Sequence, residues 1–240
     1  MATLIAVEGI DGSGKATQTR LLGERLSATG RSVATIAFPA YEHTFFGREI
    51  SRYLNGEFGS IEDIHPKLIS LLYAGDRFEC RAEILSKSAQ CEVLLFDRFT
   101  GSNIAHQSAK LPPQERAAFR EWVEDLEFRV YQLPRPDHVI FLDLPPQRTR
   151  ELVLMKEVRG YTSKALDLHE ENDTYLADVY EAYCELSKGE GWLSIPCLDG
   201  PRLRTPSQIH EAIWASLHQL GAFQPAAASL PVSVQRTSAE

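Results

Sequence analysis

The sequence lacks features that define several classes of protein. It has 25 Lys and Arg against 33 Asp and Glu, a formal net charge of -8. Non-specific binding to nucleic acid depends on clustered cations, so this charge argues against it. No apolar run approaches the roughly 20 residues that span a bilayer, and no signal peptide precedes the first apolar stretch. We therefore expect a protein that binds neither nucleic acid nor membranes.

Cysteine is also scarce. The four cysteines (Cys80, Cys91, Cys184 and Cys197) have neither the spacing of metal ligands nor that of a disulfide framework. This usage predicts reduced thiols, mostly buried, in a cytoplasmic protein. The sequence contains no Asn-Lys-x-Asp motif, which argues against a nucleotide-binding switch of the GTPase type.

Short apolar runs alternate with helical patterns along most of the chain. Each run is apolar on both faces and ends in a polar or glycine-containing turn, which is typical of a parallel sheet covered by helices. We therefore predict a three-layer α/β/α fold in one domain over residues 1–222, followed by a flexible tail at residues 223–240. The predicted strands of this five-stranded parallel sheet are Leu4–Val7, Ser32–Phe38, Glu92–Phe96, His138–Leu142 and Trp192–Pro196.

Helical periodicity fills the intervals between these strands. The predicted helices are Lys15–Ala28, Gly47–Leu54, His65–Ser88, Gly101–Ser108, Gln114–Tyr131, Gln147–Glu157, Glu170–Lys188 and Ser207–Leu220.

The stretch after the first strand matches a phosphate-binding loop (P-loop), with Gly9, four residues, Gly14 and Lys15. Glycines let backbone N–H groups close around an anion, and the helix that follows adds the positive end of its dipole. Residue 16 departs from the motif, because Ala16 stands where a Ser or Thr hydroxyl would reach Mg²⁺. The predicted ATP-binding residues are Gly9, Asp11, Gly12, Ser13, Gly14, Lys15, Ala16 and Thr17.

A second pair of charged residues ends the third predicted strand. Asp97 lies where the carboxyl ends of parallel strands surround a ligand crevice, and we predict that it holds Mg²⁺ directly or through water. Arg98 follows it and can bind a phosphate with two parallel hydrogen bonds. Lys15 and Arg98 are therefore predicted catalytic residues.

At this point the chain resembles the thymidylate kinase family over about residues 3 to 220. The resemblance is carried by the loop from Glu8 to Lys15, Phe38-Pro39, the stretch from Leu71 to Glu79, Asp97-Arg98-Phe99, Ser102-Asn103, Tyr175-Leu176 and Tyr183. It implies the reaction ATP + dTMP → ADP + dTDP with Mg²⁺, and it implies a homodimer, for which apolar positions on His65–Ser88 and Gly101–Ser108 are suitable.

The resemblance also implies a set of acceptor-binding residues. Tyr73 is assigned to stacking on thymine, although its periodicity is equally that of a core residue. Arg77 is assigned to thymine, with the phosphate as the alternative, and Asn103 offers both a donor and an acceptor to the pyrimidine. His106 replaces the tyrosine of several relatives near the deoxyribose. The full predicted dTMP-binding set is Asp11, Phe38, Pro39, Tyr41, Tyr73, Arg77, Arg98, Ser102, Asn103 and His106.

Phosphoryl transfer also needs positive charge over the transferring group. The resemblance implies that a catalytic arginine supplies it, either from the P-loop or from a mobile lid. The loop has Gly12-Ser13 and no arginine, so a helical lid over about residues 150–170 must provide it. Arg159 is the first candidate and Lys164 the second, with Arg148 and Arg150 behind them.

Two alternatives remain at this stage. One is a P-loop kinase for another nucleotide or for a deoxynucleoside. The other is a nucleotide-binding protein that has lost catalysis, which the alanine at position 16 suggests.

Overall fold

The structure is a computed structural model that describes residues 2–60, 64–149 and 173–223. Its main sheet has five parallel strands in the order β2-β3-β1-β4-β5, which confirms the predicted fold class. The strands are β1 (Thr3–Glu8), β2 (Val33–Ala37), β3 (Val93–Asp97), β4 (His138–Asp143) and β5 (Trp192–Pro196). A small hairpin of β6 (Leu198–Asp199) and β7 (Arg202–Leu203) follows.

Helices cover both faces of the sheet. The described α-helices are α1 (Lys15–Ala28), α2 (Phe45–Leu54), α3 (Pro66–Glu79), α4 (Arg81–Gln90), α5 (Thr100–Ser108), α6 (Pro113–Glu124), α7 (Asp173–Leu186) and α8 (Pro206–Gln219). A π-helix over Asp125–Val130 continues α6. Among the residues described, no helix combines the length and the apolar character that crossing a bilayer requires.

The register of the central strands brings the two predicted charged regions together. In the parallel pair of β1 and β3, Val7 lies opposite Asp97. Because both strands end at this edge of the sheet, the loop that follows β1 starts beside the residues that follow β3. Alternate side chains of both strands are buried in different clusters, with Ile5 and Leu95 against α1 and α8, and Leu4 and Phe96 on the opposite face. The core thus fixes the edge at which the site forms.

Two predicted helices are divided in the structure. The predicted helix His65–Ser88 is two helices that meet at Cys80, whose φ of -81° and ψ of 0° lie outside regular helix geometry. The predicted helix Gln114–Tyr131 changes from α to π geometry at Asp125. A π-helix holds an extra residue in its turn and is frequently found at functional sites.

The end of the described chain packs against the domain. Phe223, where the predicted tail begins, is buried and stacks on Trp214 of α8 with ring centroids 5.5 Å apart. Three predicted parts lie outside the described residues: the rest of the tail, the helix Gln147–Glu157 beyond residue 149, and the lid over about residues 150–170.

Candidate active site

The loop between β1 and α1 depends on two glycines. A Cβ on Gly9 would lie 2.8 Å from the Oγ of Ser13 and 3.1 Å from the carbonyl oxygen of Leu142, so only glycine fits there. Gly14 precedes α1 with a φ of 96°, a left-handed conformation that favours glycine. The first turn of α1 contains no acidic residue, and no side chain caps it. Its N–H groups and the positive end of its dipole are therefore available to an anion.

Lys15 folds back over this loop. Its Nζ donates hydrogen bonds to the carbonyl oxygens of Gly9 and Ile10, each at 2.8 Å, and lies 4.0 Å from Oδ1 of Asp11. Burial lowers the pKa of Lys15 to about 7, although Asp11 and Asp97 act in the opposite direction. An added anion such as a phosphate would raise this pKa again and favour the charged ammonium.

Arg98 has an unusual backbone conformation beside this loop. Its φ is 67°, in the left-handed region that few non-glycine residues adopt, and its N–H donates to the carbonyl oxygen of Val7 at 3.0 Å. The guanidinium forms an ion pair with Asp11 and donates to Oγ of Ser102 at 3.3 Å. The strained residue thus directs its side chain across the loop, and such strain is typical of functional sites.

Glu8, the last residue of β1, binds the start of α5. Its Oε1 accepts the backbone N–H groups of Phe99 at 2.8 Å and Ser102 at 3.0 Å, while Oε2 accepts the hydroxyls of Ser102 at 2.6 Å and Tyr183 at 3.1 Å. A Cβ on Gly101 would lie 2.9 Å from this carboxylate, so glycine makes room for it. Glu8 is fully buried, and burial raises its pKa. No side chain at the N-cap position of α5 bonds to the first N–H groups of the helix, and the carboxylate of Glu8 takes over this capping role.

A cavity of about 290 Å³ opens between the loop, α2, α3 and α5. All ten residues of the predicted acceptor set line it, and from the predicted donor set Gly12, Gly14, Lys15 and Ala16 do so as well. Gly9, Ser13 and Thr17 lie in the loop or the first turn of α1 without lining it. Asp97 lines the cavity beside Arg98, and Leu54 at the end of α2 is a lining residue that the sequence did not suggest.

One wall of the cavity is aromatic. Phe38 packs at 5.9 Å from the ring of Phe99, which is stacked on Phe96 at 4.5 Å. The guanidinium carbon of Arg77 lies 5.9 Å and 5.8 Å from the ring centres of Phe38 and Phe99. Tyr73 is half-buried and lines the cavity, so its ring is placed for contact with a ligand as well as with the helix pair of α2 and α3.

The predicted base contacts are tied to one buried carboxylate. Arg77 donates to Glu127 from Nε at 2.7 Å and from Nη2 at 2.6 Å. Asn103 donates from Nδ2 to Glu127 at 3.0 Å and to the carbonyl oxygen of Ser70 at 3.2 Å. The prediction that Asn103 offers a donor and an acceptor is therefore wrong, because its donors are already used. Sequence reasoning also missed Glu127, which belongs to no recognisable motif.

His106 lies at the far side of the cavity, against α7. Its Nδ1 lies 3.1 Å from the hydroxyl oxygen of Tyr175. That hydroxyl donates its hydrogen to the carbonyl oxygen of His106 at 3.0 Å. Burial lowers the pKa of His106 to about 3, so the ring is neutral at physiological pH. Lys110 lies behind it and donates to the hydroxyl of Tyr53 at 2.7 Å, and burial lowers the pKa of Lys110 to about 7.

Only one of the four candidate cations for the lid belongs to the described residues. Arg150, Arg159 and Lys164 lie outside the described residues. Arg148 is described, and its guanidinium donates to the carbonyl oxygen of Pro201 at 2.9 Å, next to the β6-β7 hairpin.

Fold and site together define a P-loop phosphotransferase, with a glycine loop, a buried lysine and an Asp-Arg pair at the end of the neighbouring strand. The family model described as thymidylate kinase matches residues 7–199. The chain therefore belongs to the thymidylate kinase family.

Individual relatives agree with this assignment. The thymidylate kinase of Mycobacterium tuberculosis is 31% identical over 189 residues, which cover 79% of this chain and 87% of that protein. The thymidylate kinase of Bifidobacterium longum is 28% identical over 217 residues, which cover 89% and 94%. The solved structure of thymidylate kinase from Candida albicans superposes with a TM-score of 0.69 at 22% identity, covering 92% of this chain and 93% of that one, and supports the fold.

Proposed function

We propose that the protein transfers the γ-phosphate of ATP to dTMP and releases ADP and dTDP. One observation carries the proposal: the ten acceptor residues, drawn from four separate stretches of sequence, line one cavity that adjoins the phosphate loop. A phosphoryl donor on the loop and a nucleotide in the cavity would therefore meet at the end of β1. Relatives named thymidylate kinase over most of the chain support the choice of acceptor.

At the ATP site, the protein places positive groups around the phosphates. The N–H groups of the loop and the start of α1 bind the phosphates of ATP, and Lys15 turns from the carbonyls of Gly9 and Ile10 toward them. We assign Arg159 of the lid to the transferring phosphoryl group, with Lys164 as the alternative. Little bonding change is required of the protein, so catalysis rests on positioning and on charge stabilisation.

On the acceptor side, the cavity separates the parts of the nucleotide. Tyr73 and Phe38 contact the base, and Arg98 binds the acceptor phosphate when it leaves Asp11. Asp11 then faces the 3′-hydroxyl of the sugar, and His106 lies near the deoxyribose. No general base is needed, because the attacking phosphate oxygen is already ionised.

The residues at the loop fit a magnesium ion. Asp97 supplies a carboxylate at the cavity wall, and a Mg²⁺ in such a site usually takes one or two carboxylates, with phosphates and water as its other ligands. The Oγ of Ser13 is buried and has no hydrogen-bond partner within the described ranges, which suits a role toward phosphate. Bound magnesium would neutralise charge on the phosphates, and Thr17 retains a hydroxyl next to the position where Ala16 lacks one.

The proposal includes a homodimer and a cytoplasmic location. Exposed apolar side chains at Phe45 of α2, Leu68 and Phe78 of α3, and Leu85 of α4 support a contact surface there. Residues Asn103 to Ser108 of α5 are buried within the protomer, which limits that surface to the other helices. All four cysteines are free thiols, which supports a reducing compartment.

An ADP-release assay with dTMP, dUMP, dCMP, dGMP and AMP as acceptors tests the proposal. We expect dTMP to give the highest kcat/KM and Lys15→Ala to abolish turnover. Preference for another monophosphate would overturn the choice of acceptor. Binding of ATP and dTMP without turnover would instead show that catalysis has been lost, and Ala16→Ser would then be expected to restore it.

A further inference from the structure

Glu127 accepts four hydrogen bonds in the interior of the protein. It lies in the π-helix, is fully buried, and receives donors from three residues. Arg77 approaches both carboxylate oxygens, Thr100 donates its hydroxyl to Oε2 at 2.7 Å, and Asn103 donates its amide to Oε1 at 3.0 Å. Two of these partners, Arg77 and Asn103, line the cavity, whereas Thr100 does not.

The bond to Glu127 fixes which way the amide of Asn103 points. A carboxylate and a backbone carbonyl can only accept hydrogen bonds, so the group that faces Glu127 and the carbonyl of Ser70 must be the NH₂. Its two hydrogens are both used there. The remaining group is Oδ1, which accepts the hydroxyl of Ser70 at 3.0 Å and has one further lone-pair direction. Toward a ligand, Asn103 is therefore an acceptor only.

Glu127 fixes Arg77 in the same way. Nε and Nη2 point at the carboxylate, which leaves Nη1 on the opposite side of the planar guanidinium. Nη1 has no hydrogen-bond partner among residues 2–60, 64–149 and 173–223, and it can only donate. Asn103 and Arg77 thus offer one acceptor and one donor, and neither side chain can reverse this while both are bonded to Glu127.

From this geometry we infer that Glu127 determines which pyrimidine the cavity accepts. A fixed acceptor and a fixed donor match the N3–H and O4 of thymine or uracil. They oppose cytosine, which has an acceptor at N3 and an amino group at C4. Glu127 touches no substrate in this arrangement and acts as a positioning residue through Asn103 and Arg77. The inference rests on the proposed function, because it assumes that the base lies against these two residues.

Steady-state kinetics of Glu127→Gln with dTMP, dUMP and dCMP test the inference. A glutamine at this position can donate toward Asn103, so the side-chain amide of Asn103 can turn. It also carries no negative charge, so the guanidinium of Arg77 is no longer held in place. We expect the ratio of kcat/KM for dTMP over dCMP to fall about tenfold, since each such polar pair is worth roughly that factor. The carbonyl of Ser70 still holds one amide hydrogen, so the loss should be partial. The ratio for dTMP over dUMP should stay within about twofold, because these polar groups do not read the methyl group.

Thr100→Val is the matched control. It removes the third donor to Glu127 without changing Asn103 or Arg77, and both ratios should remain as in the unaltered protein. Since Glu127→Gln weakens a buried ion pair, a double variant with Arg77→Gln leaves a neutral pair and still frees Asn103. The double variant is compared with Arg77→Gln alone, so that any further change in the dTMP/dCMP ratio reports on Asn103. Thermal melting identifies the variants that fold.

The outcomes separate the inference from the function on which it rests. If Glu127→Gln lowers kcat/KM equally for all three acceptors, Glu127 has only a structural role and the inference is wrong. If the single variant does not fold, an equal dTMP/dCMP ratio in the double variant and in Arg77→Gln leads to the same conclusion. If the unaltered protein already favours dCMP over dTMP and dUMP, the proposed function fails instead. If Glu127→Gln lowers the dTMP/dCMP ratio of kcat/KM and leaves the dTMP/dUMP ratio constant, the result supports both the inference and the proposed function.

Discussion

Asp11 and Arg98 form an ion pair across the candidate active site, although 87 positions separate them in the sequence. Asp11 belongs to the phosphate loop, and Arg98 follows the neighbouring strand. The pair holds a guanidinium at the wall of the cavity in which the acceptor phosphate is proposed to bind. Binding of that phosphate would exchange one anionic partner of Arg98 for another.

Removal of the Arg98 guanidinium should mainly lower kcat/KM for the acceptor nucleotide. We expect Arg98→Ala to lower kcat/KM for dTMP by about a hundredfold or more, because the acceptor phosphate loses a bidentate partner. Arg98→Lys should recover only part of this, since an ammonium cannot form the same fork. Arg20→Ala is the control, an exposed arginine paired with Glu24. A change of less than about threefold in Arg98→Ala would contradict the assignment.

Lys15 should take up a proton when ATP binds. Its pKa is about 7 in the described structure, so the side chain is mostly neutral at pH 8 and becomes charged beside the phosphates. Calorimetry at pH 8 in buffers of different ionisation enthalpy should give an uptake close to one proton greater than in Lys15→Arg, whose guanidinium stays charged. Equal proton uptake in the two proteins would contradict this.

His106 should make the folded protein less stable in mild acid. The pKa of its imidazole is about 3 in the folded state against 6.5 in the unfolded chain, so the unfolded state binds the extra proton. Stability is therefore lost as the pH falls below 6.5, by about 2 kcal/mol between pH 7 and pH 5. Urea unfolding of His106→Asn should show this loss reduced by that amount, whereas His43→Gln, at an exposed histidine, should leave it unchanged. An unaltered pH dependence in His106→Asn would show that His106 is not held neutral.

Asp97 should govern the magnesium requirement. Asp97→Asn keeps the size of the side chain but removes its charge, and the Mg²⁺ concentration for half-maximal activity should rise about tenfold or more. Asp143→Asn is a matched control, since Asp143 also ends a strand of the sheet and bonds to the hydroxyl of Tyr180. The same shift in both variants would show a general effect of charge rather than a ligand.

Arg159 should affect turnover more than binding. If it closes on the transferring phosphoryl group, Arg159→Ala should lower kcat by about a hundredfold with little change in KM for ATP. Arg148→Ala serves as the control, because its guanidinium is engaged by Pro201. An intact kcat in Arg159→Ala would move the assignment to Lys164.

The sequence predicted the regular parts of the fold well. The limits of α1 and of β5 agree with the structure, because Gly14 and Gly191 mark their starts and Gly30 follows the end of α1 closely. The break at Cys80 was not predictable, because apolar periodicity continues through it. Nor was the π-helix, since one extra residue in a turn leaves no composition signal that distinguishes it from α-helix.

The site was predictable where residues belong to local motifs. The loop residues and Asp97-Arg98 follow strands directly, so their location depends only on the sheet. Glu127 has no such position: it meets Arg77 across 50 residues, through a pairing that exists only after α3 packs on the π-helix. For the same reason the donor groups of Asn103 could not be recognised as already engaged.

Glu8 links the phosphate loop to the helices on the acceptor side of the cavity. One carboxyl group, directly before the glycine loop, clasps the start of α5 and the hydroxyl of Tyr183 on α7. The donor loop and the acceptor helix are therefore linked through one side chain. Helix α3 is joined to the same α5 by the bonds between Ser70 and Asn103, and to the π-helix by the ion pair of Arg77 and Glu127. A single change at Glu8 would therefore loosen the donor loop and the acceptor wall of the cavity together.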